Sequence, residues 1–506
     1  MVSDVKRRTM ILKGNMLKTV LAICLPLALY QFFNSLYTLF DQVISAQISS
    51  DAHNAVSSIS QIKSTISAFG GGLAAGGGVI VSRLYGAGNL KDARHASSNL
   101  LMISIIMSII LLVILIPLAT PIMQLARIAP QSIAIGAPYF RLQMVELIFV
   151  SINSVFIGLE KAKGNSKLVL GLNLGIMGVK LGMTSLLVLA LNLKSIVFVE
   201  LSTIIAQALL TVIAFILMFR KQNILRLSVK MFVLKKKYVK PILVLSIPIF
   251  LGKFVMSLGK VVVNGMCGEY WNTATDGLIV GTLGVSNNIC GLITSPTNSF
   301  EEGGSSIASQ NLGNRNIRRA LRSFIFTLTV SAIISVTGYV LLRFVFINNI
   351  VDLFTSVDAK SETYKTMVKE IFRYDSLSII SLGITAAVLG LLYGFGQTGL
   401  STVLNLSRIG SRIIFLLIIH GTHPELSPTL CAGLSMGISN GIILLISIIF
   451  LCIFLIKIRI KGYKGMHMSD PEPEVSELVY EDVSMEEVIV DASSELDNIK
   501  IEVENN

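Results

Sequence analysis

The sequence predicts an all-α integral membrane protein with twelve transmembrane helices in two homologous six-helix lobes. Three observations carry that reading: composition, the count of apolar stretches and an internal repeat. Of 506 residues, 53% are hydrophobic and 14% charged, and the mean hydropathy is +0.73. A single soluble core cannot hide that much apolar surface, so the chain belongs in a bilayer. Twelve apolar stretches are each about 20 residues long, the length that crosses a hydrocarbon core. The chain also reads twice. Ser82, Gly86, Asn89 and Ala93 in SRLYGAGNLKDA return 227 positions later as Ser309, Gly313, Asn316 and Ala320 in SQNLGNRNIRRA. Phe140, Arg141, Gly158, Leu159, Gly164, Asn173, Leu174 and Gly178 return 232 positions later as Phe372, Arg373, Gly390, Leu391, Gly396, Asn405, Leu406 and Gly410. Pro26 and Ser35 match Pro248 and Ser257 at a separation of 222. Separations that drift only by loop-sized steps mark one ancestral half, duplicated.

The elements follow in order. Residues 1–16 form a basic N-terminal segment ahead of the first span, 17–40. Pro26 sits inside that span and no small-residue cleavage site follows, so it reads as a retained helix and not as a signal peptide. The second span, 57–82, holds Gly70 to Gly72 and Gly76 to Gly78. No Lys-Ser/Thr follows them, which excludes a phosphate-cradling loop and leaves close helix packing. Spans at 99–119, 138–160, 168–191 and 195–219 complete a first lobe, 17–219. A basic linker, 220–240, leads to the second lobe, 241–457, with spans at 241–265, 278–302, 321–346, 371–394, 400–420 and 430–456. Residues 458–506 form a tail. From Ser469 onward it holds thirteen acids against Lys500 alone, a charge of −12, so the rest of the chain carries about +24 and the two sum to the net +12. It reads as disordered, either a solvating tail or a segment that docks on basic loops.

Basic residues near span ends are retained on the cytoplasmic side. One set of loops carries Lys6, Arg7, Arg8 and Lys13; Arg83, Lys91 and Arg94; Lys161 and Lys163; and the runs Arg220 to Lys240, Arg315 to Arg322 and Lys457 to Lys464. The other set offers Arg127, Lys194 and the mixed-charge stretch from Lys360 to Lys369. Both termini are therefore expected in the cytoplasm, with the chain multi-pass in the cell membrane. Topology and anionic headgroups account for the basic loops, so no nucleic-acid partner is expected. The five cysteines, Cys24, Cys267, Cys290, Cys431 and Cys452, are scattered and form neither a disulfide framework nor a metal site. His53, His95, His420 and His423 lack ligand spacing, and no catalytic constellation or cofactor motif is present, so neither an enzyme nor a metal protein is expected.

The first span LPLALYQFFNSLYTLFDQVISAQI, the exit VSRLYGAGNLKDA with its echo ASQNLGNRNIRRA, and GLEKAKGNSKLVLGLN with its echo GLLYGFGQTGLSTVLN resemble the multidrug and toxic compound extrusion (MATE) transporters. The resemblance covers about residues 14–460. It implies two six-helix lobes around a central cavity that opens alternately to each side, and export of organic cations in exchange for protons or sodium. With no ATP-binding domain in the sequence, transport would draw on an ion or substrate gradient. A monomer in contact with membrane lipids and a small-molecule substrate are the expected working unit and partners.

Asp41 matches the family's ion-coupling acid of the first span; a carboxylate there binds a cation or takes up a proton in a wet cavity, or else sits near the interface. Gln31 and Asn34 stand ten and seven residues earlier, close to the same face, where they line a cavity or bond a neighbouring helix. The fifth span departs from the family. An Asn followed four residues on by an Asp is implied there; this chain has Lys180 and Thr184. The repeat places Arg412 at the position equivalent to Lys180, and Lys253 and Lys260 add charge to the seventh span. Buried cations of this kind either serve function or snorkel and pair internally. Glu301 and Glu302 replace Ala74 and Ala75 of the first lobe and are expected to meet Lys253, as static packing or as a gate.

Two functions stay open. One is an ion-coupled exporter of amphipathic small molecules, resting on the resemblance and Asp41. The other is a carrier or flippase for anionic or lipid-linked substrates, resting on Lys180, Arg412, Lys253 and the missing acid. Whether Lys180 and Arg412 line the central cavity separates them.

Overall fold

The computed structural model describes residues 2–48, 50–125, 130–191, 193, 195–271, 273–275, 278–355 and 361–461; among 39–61 only the side chain of Ile59 is described. The expected disordered tail lies outside these residues. Among them no strand occurs, and the helices are α1 (Val2–Lys13), α2 (Met16–Ile48), α3 (Ser50–Ala87), α4 (Leu90–Leu115), α5 (Ala119–Leu125), α6 (Pro130–Ala162), α7 (Ser166–Thr184) and α8 (Ile196–Phe219). The second lobe has α9 (Lys236–Trp271), α10 (Ile279–Gly313), α11 (Ile317–Val340), α12 (Ile347–Thr355), α13 (Ser361–Asp375), α14 (Ser378–Gly394), α15 (Gly399–Thr422) and α16 (Pro428–Lys461).

Ten of these are long and apolar enough to cross a membrane, and α13 with α14, bent by 41° at their junction, are so when taken together. The long α10 packs among them, against α2, α3, α11 and α14. Glu301, Glu302 and a run of Ser, Thr and Asn keep its hydropathy below that of its neighbours, because it lies between lobes and not against lipid. The tenth span was expected as one helix. The break at Asp375 to Leu377 reflects the buried Asp375 carboxylate, which accepts hydrogen bonds from α10 at Ser286 Oγ (3.3 Å) and Cys290 Sγ (3.5 Å). The described cysteines are free thiols.

The duplication is visible in the backbone. Gly164 and Gly396, equivalent in the repeat, both turn with positive φ, at 75° and 81°. Gly88 (84°) is matched by Arg315 (57°), a left-handed residue that is not glycine. Asn89 caps α4 by accepting from the Asp92 N–H, and Asn316 caps α11 by accepting from the Arg319 N–H. Equivalent residues thus end and restart the helices in each lobe.

The lobes join through α3 against α9, α10 against α2, and α3 against α10. The last pair crosses at the end bearing the basic loops. A Cβ on Gly86 would stand 2.1 Å from the Gln310 carbonyl oxygen, and one on Gly313 would stand 2.0 Å from the Arg83 carbonyl oxygen. Gln310 is the repeat partner of Arg83, so the two contacts are one contact seen from both lobes. Side chains follow the same symmetry: Arg83 Nη2 donates to the Gly394 carbonyl (2.9 Å) and Gln310 Nε2 to the equivalent Ala162 carbonyl (2.7 Å). The glycine run of α3 works likewise against α9, where a Cβ on Gly76 would lie 2.6 Å from Ser246 Cα.

Helix α1 clamps this end. Arg8 donates to the Gly86 carbonyl at 3.0 Å, Tyr85 Oη to the Asp4 carbonyl at 2.8 Å, and Arg319 to the carbonyls of Ile11 (3.0 Å) and Gly14 (2.6 Å). Burial pulls the Arg8 pKa below the ordinary arginine value.

Candidate functional site

Three charged sites lie inside the bundle: one between the lobes and one within each lobe. The first is a cavity of about 180 Å³ just inside the α3–α10 crossing, lined by Gln31, Tyr30, Lys161, Glu301, Glu302 and Tyr393. Ala74, Ala75, Gly71 and Gly78 of α3 form its small-residue wall. The repeat explains the asymmetry: where α3 offers two alanines, α10 offers two carboxylates. Lys161 of α6 forms an ion pair with Glu302 across the lobes. Ser306 Oγ donates to the Lys161 carbonyl at 2.8 Å and stands 3.4 Å from Ser82 Oγ, which closes the floor above the helix crossing.

Lys253 of α9 lies close to this cavity. Its Nζ is 4.0 Å from where a Cβ on Gly71 would stand, and it is an electrostatic neighbour of both Glu301 and Glu302. The ion-pair partner of Glu302, however, is Lys161 and not the expected Lys253. The reason is geometric: Lys161 ends α6 directly opposite the Glu302 turn of α10, while Lys253 approaches from the α9 side of the wall.

The second site is buried in the first lobe. Lys180 of α7 is 8% exposed, with Nζ 3.9 Å from the centroid of the Tyr37 ring on α2. Glu200 of α8 is its electrostatic neighbour. Lys63 of α3 forms an ion pair with Glu146 of α6 and stands 3.8 Å from Glu200 Oε1. Gln143 Nε2 donates to Glu200 Oε2 at 3.4 Å, and Glu146 is an electrostatic neighbour of Glu200. Thr184 is fully buried one turn beyond Lys180. Asp41 belongs to α2, four residues beyond Tyr37; its side chain lies outside the described residues. Asn34 is exposed, its carbonyl accepting from Thr38 Oγ1 at 3.0 Å, and it is not part of the cavity lining.

The third site, in the second lobe, is cationic. Arg412 of α15, 2% exposed, donates from Nε to Ser439 Oγ (3.1 Å) and from Nη2 to Asn440 Oδ1 (3.4 Å). Arg408, one turn earlier, donates to the same Asn440 oxygen at 2.8 Å. Lys260 of α9 has Arg408, Arg412 and Asp375 as electrostatic neighbours. Among the described residues these three cations have Asp375 as a common electrostatic neighbour. A low-dielectric interior makes that excess costly unless a cavity or an anion relieves it.

Lys180 and Arg412 therefore occupy equivalent places but do not face each other across the interlobe cavity. Each turns into its own lobe, toward Glu200 and Asp375 respectively. Reading the sequence missed Lys63, Glu146, Glu200, Asp375 and Arg408. A signal existed: Glu146 in QMVELIF and Glu200 in VFVELST are lone acids within apolar runs, the pattern that marks an intramembrane functional group. Among the described residues no group of His, Cys, Asp and Glu is arranged to hold a metal.

Against known proteins, a family model described as MatE matches residues 26–186 and again 248–418, one match per lobe. The chain is similar to the multidrug export protein MepA of Staphylococcus haemolyticus (strain JCSC1435), at 23% identity over 408 residues, 80% of this chain and 87% of that protein. Among solved structures it is similar to a MATE in complex with MaL6 (TM-score 0.81, 16% identity, 90% of this chain and 99% of that one). It is also similar to a MOP superfamily transporter from Pyrococcus furiosus whose binding pocket is described as reversed in polarity (TM-score 0.82, 15% identity, 89% of this chain and 98% of that one). A third is an outward-facing multidrug resistance MATE transporter (TM-score 0.81, 16% identity, 90% of this chain and 98% of that one).

Proposed function

This chain belongs to the MatE family of multidrug efflux transporters, and from that membership we propose that it exports amphipathic small molecules by alternating access, coupled to inward flow of protons or sodium. The observation that carries the reading is the symmetric crossing of α3 and α10. Two lobes that meet at this end in a self-complementary contact can rock about it, and the cavity behind it is closed by an interlobe ion pair. Opening the basic end requires Lys161 to leave Glu302 and both Arg83 and Gln310 to leave their carbonyls. Closing it restores all of these together, which gives two discrete states and not a continuum. Asp41, on the helix that carries Gln31 into the cavity wall, is the proposed ion-coupling acid. The protein works as a monomer in the cell membrane with both termini cytoplasmic, without a cofactor and without enzymatic chemistry.

The test is ethidium efflux in everted vesicles with a proton or a sodium gradient imposed separately. Wild-type protein is expected to respond to one gradient, and Asp41→Asn to lose that response while remaining folded in the membrane. Efflux indifferent to both gradients, or normal gradient-driven efflux by Asp41→Asn, would overturn the reading.

The second-lobe cluster favours one further reading, a carrier for anionic or lipid-linked substrates. Lys180 and Arg412 no longer support it as a facing pair. Lys260, Arg408 and Arg412 around Asp375 do, because a small anion would relieve their excess charge. Competition of ethidium efflux by an amphipathic carboxylate or sulfonate supports this reading; its absence removes it.

A further inference from the structure

We propose that the second lobe holds a small inorganic anion of chloride size between α15 and α16, where Arg408, Arg412 and the Asn440 amide converge and where the first lobe carries a carboxylate of its own. Arg408 and Arg412 are four residues apart and share one face of α15. Arg412 donates from Nε to Ser439 Oγ (3.1 Å) and from Nη2 to Asn440 Oδ1 (3.4 Å), and Arg408 donates from Nε to the same Asn440 oxygen (2.8 Å). Guanidinium groups only donate, so they fix the amide with its oxygen toward them. Asn440 Nδ2, on the same amide, is a buried donor with no partner among the described residues. Asn440 is fully buried and Arg412 is 2% exposed. Among the described residues no ion pair joins Lys260, Arg408 or Arg412 to a carboxylate. Arginine does not shed its charge by losing a proton, so two fixed cations and an orphaned N–H meet with donors only.

The repeat shows what the site lacks. The 232-residue offset that pairs Lys180 with Arg412 also pairs the starts of α8 and α16, at Ile196 and Pro428. Under it Glu200 becomes Ala432, Glu146 becomes Ser378, Ile176 becomes Arg408 and Gln143 becomes Asp375. The first lobe offsets its buried lysines with two carboxylates. The second has lost both and gained an arginine, and its Asp375 accepts from Ser286 and Cys290 of α10. Lys260 adds a further cation. It follows Gly259, where α9 presses on α15 so closely that a Cβ would stand 2.3 Å from Ile409 Cγ2, next to Arg408. A bound anion in place of the Glu200 carboxylate supplies the acceptor and the charge that Ala432 cannot.

Burial favours an inorganic ion over an amphipathic substrate. Lys260, Arg408, Arg412 and Asn440 are not among the residues that line the interlobe cavity. A single spherical ion can accept from a guanidinium and from Asn440 Nδ2 at once, while a carboxylate or sulfonate needs room for the chain it carries. The ion is thus a resident of the lobe and not cargo, and its binding does not depend on what the protein exports.

The test is the chloride NMR line width in the presence of purified full-length protein in detergent, with gluconate replacing chloride at constant ionic strength so that screening stays fixed. Wild type is expected to broaden the line saturably and to lose the broadening to nitrate. Arg408→Gln and Asn440→Leu are each expected to weaken chloride binding by roughly tenfold or more, the loss of one hydrogen bond to a charged group. Ala432→Glu, which restores the first-lobe carboxylate, is expected to abolish binding, and Lys253→Gln, which removes a cation outside the cluster, to leave it unchanged. Melting temperatures report folding, and the half-buried position of Arg408 makes Arg408→Gln the variant that decides if the other two do not fold. No saturable broadening by wild type, or equal affinity in wild type and Arg408→Gln, overturns the site. Displacement by octanesulfonate as readily as by nitrate overturns the resident ion and gives the cluster to an anionic substrate.

Discussion

Glu302 is the residue at which the charge of one lobe meets the other. Its partner Lys161 is 13% exposed and Glu302 itself 27%, so the pair is neither solvated nor sealed. An isolated surface pair contributes little and a fully buried one is strongly destabilised when one partner is removed. The intermediate burial predicts a loss of roughly 1–3 kcal/mol for either Lys161→Gln or Glu302→Gln, with part of it recovered in the double variant. A double-mutant cycle on detergent melting temperature checks this, and strict additivity would show that the pair carries no coupling. The same cycle run with Lys253→Gln should be closer to additive, because Lys253 is a neighbour of Glu302 and not its direct partner. At this scale the sequence was partly readable. Asp41, Glu301 and Glu302 stood out because motif or repeat put an acid where the other copy had none. Glu146 and Glu200 did not, because no repeat partner or motif drew attention to them; only their isolation in apolar runs could have.

Helix α3 and helix α10 meet where neither can carry a side chain. A methyl group on Gly313 would lie 2.0 Å from the Arg83 carbonyl oxygen, a distance that no rotamer change relieves because the obstacle is backbone. Gly313→Ala is therefore predicted to part the helices and leave the basic end unsealed. The measurement is labelling of Ser305→Cys, in a background with the exposed Cys452 replaced by Ser, by a membrane-impermeant maleimide applied from the basic side. Faster labelling than in the unsubstituted crossing is expected; equal labelling would show that the crossing does not seal the cavity. The helices themselves were legible from apolar runs and from the repeat, and so was the equivalence of Gly86 and Gly313. The bend between α13 and α14 was not. It depends on the buried Asp375 bonding to Ser286 and Cys290 of α10, some 85 to 89 positions away, and no local pattern encodes such a contact.

As a whole the molecule distributes charge unequally between two copies of one fold. The first lobe balances Lys63 and Lys180 against Glu146 and Glu200, while the second sets Lys260, Arg408 and Arg412 against Asp375. A dication near the second lobe feels that excess; two unit charges 4 Å apart repel by about 4 kcal/mol at an effective dielectric near 20, and less at greater distance. Dicationic dyes are therefore predicted to be exported less effectively than monocationic dyes of similar size, and Arg408→Gln to narrow the gap. Equal export of both, unchanged by Arg408→Gln, would sink the prediction. The overall architecture was the most legible level, since a doubled pattern of six apolar runs admits few arrangements. What could not be read is which way each charged face turns, because side-chain direction in a bundle depends on the packing of every other helix.

The crossing at Gly86 and Gly313 has a consequence for inheritance. Each glycine faces a carbonyl supplied by the other copy, at the residue equivalent to its own neighbour three positions earlier. A substitution in one half is thus judged against the backbone of its sibling, and neither half is free to drift there alone. Elsewhere the copies have diverged widely, as Ala74 and Ala75 against Glu301 and Glu302 attest. At this contact they remain a single heritable unit, so a chimera that exchanges one half for that of a relative will succeed or fail on whether this one meeting point still matches.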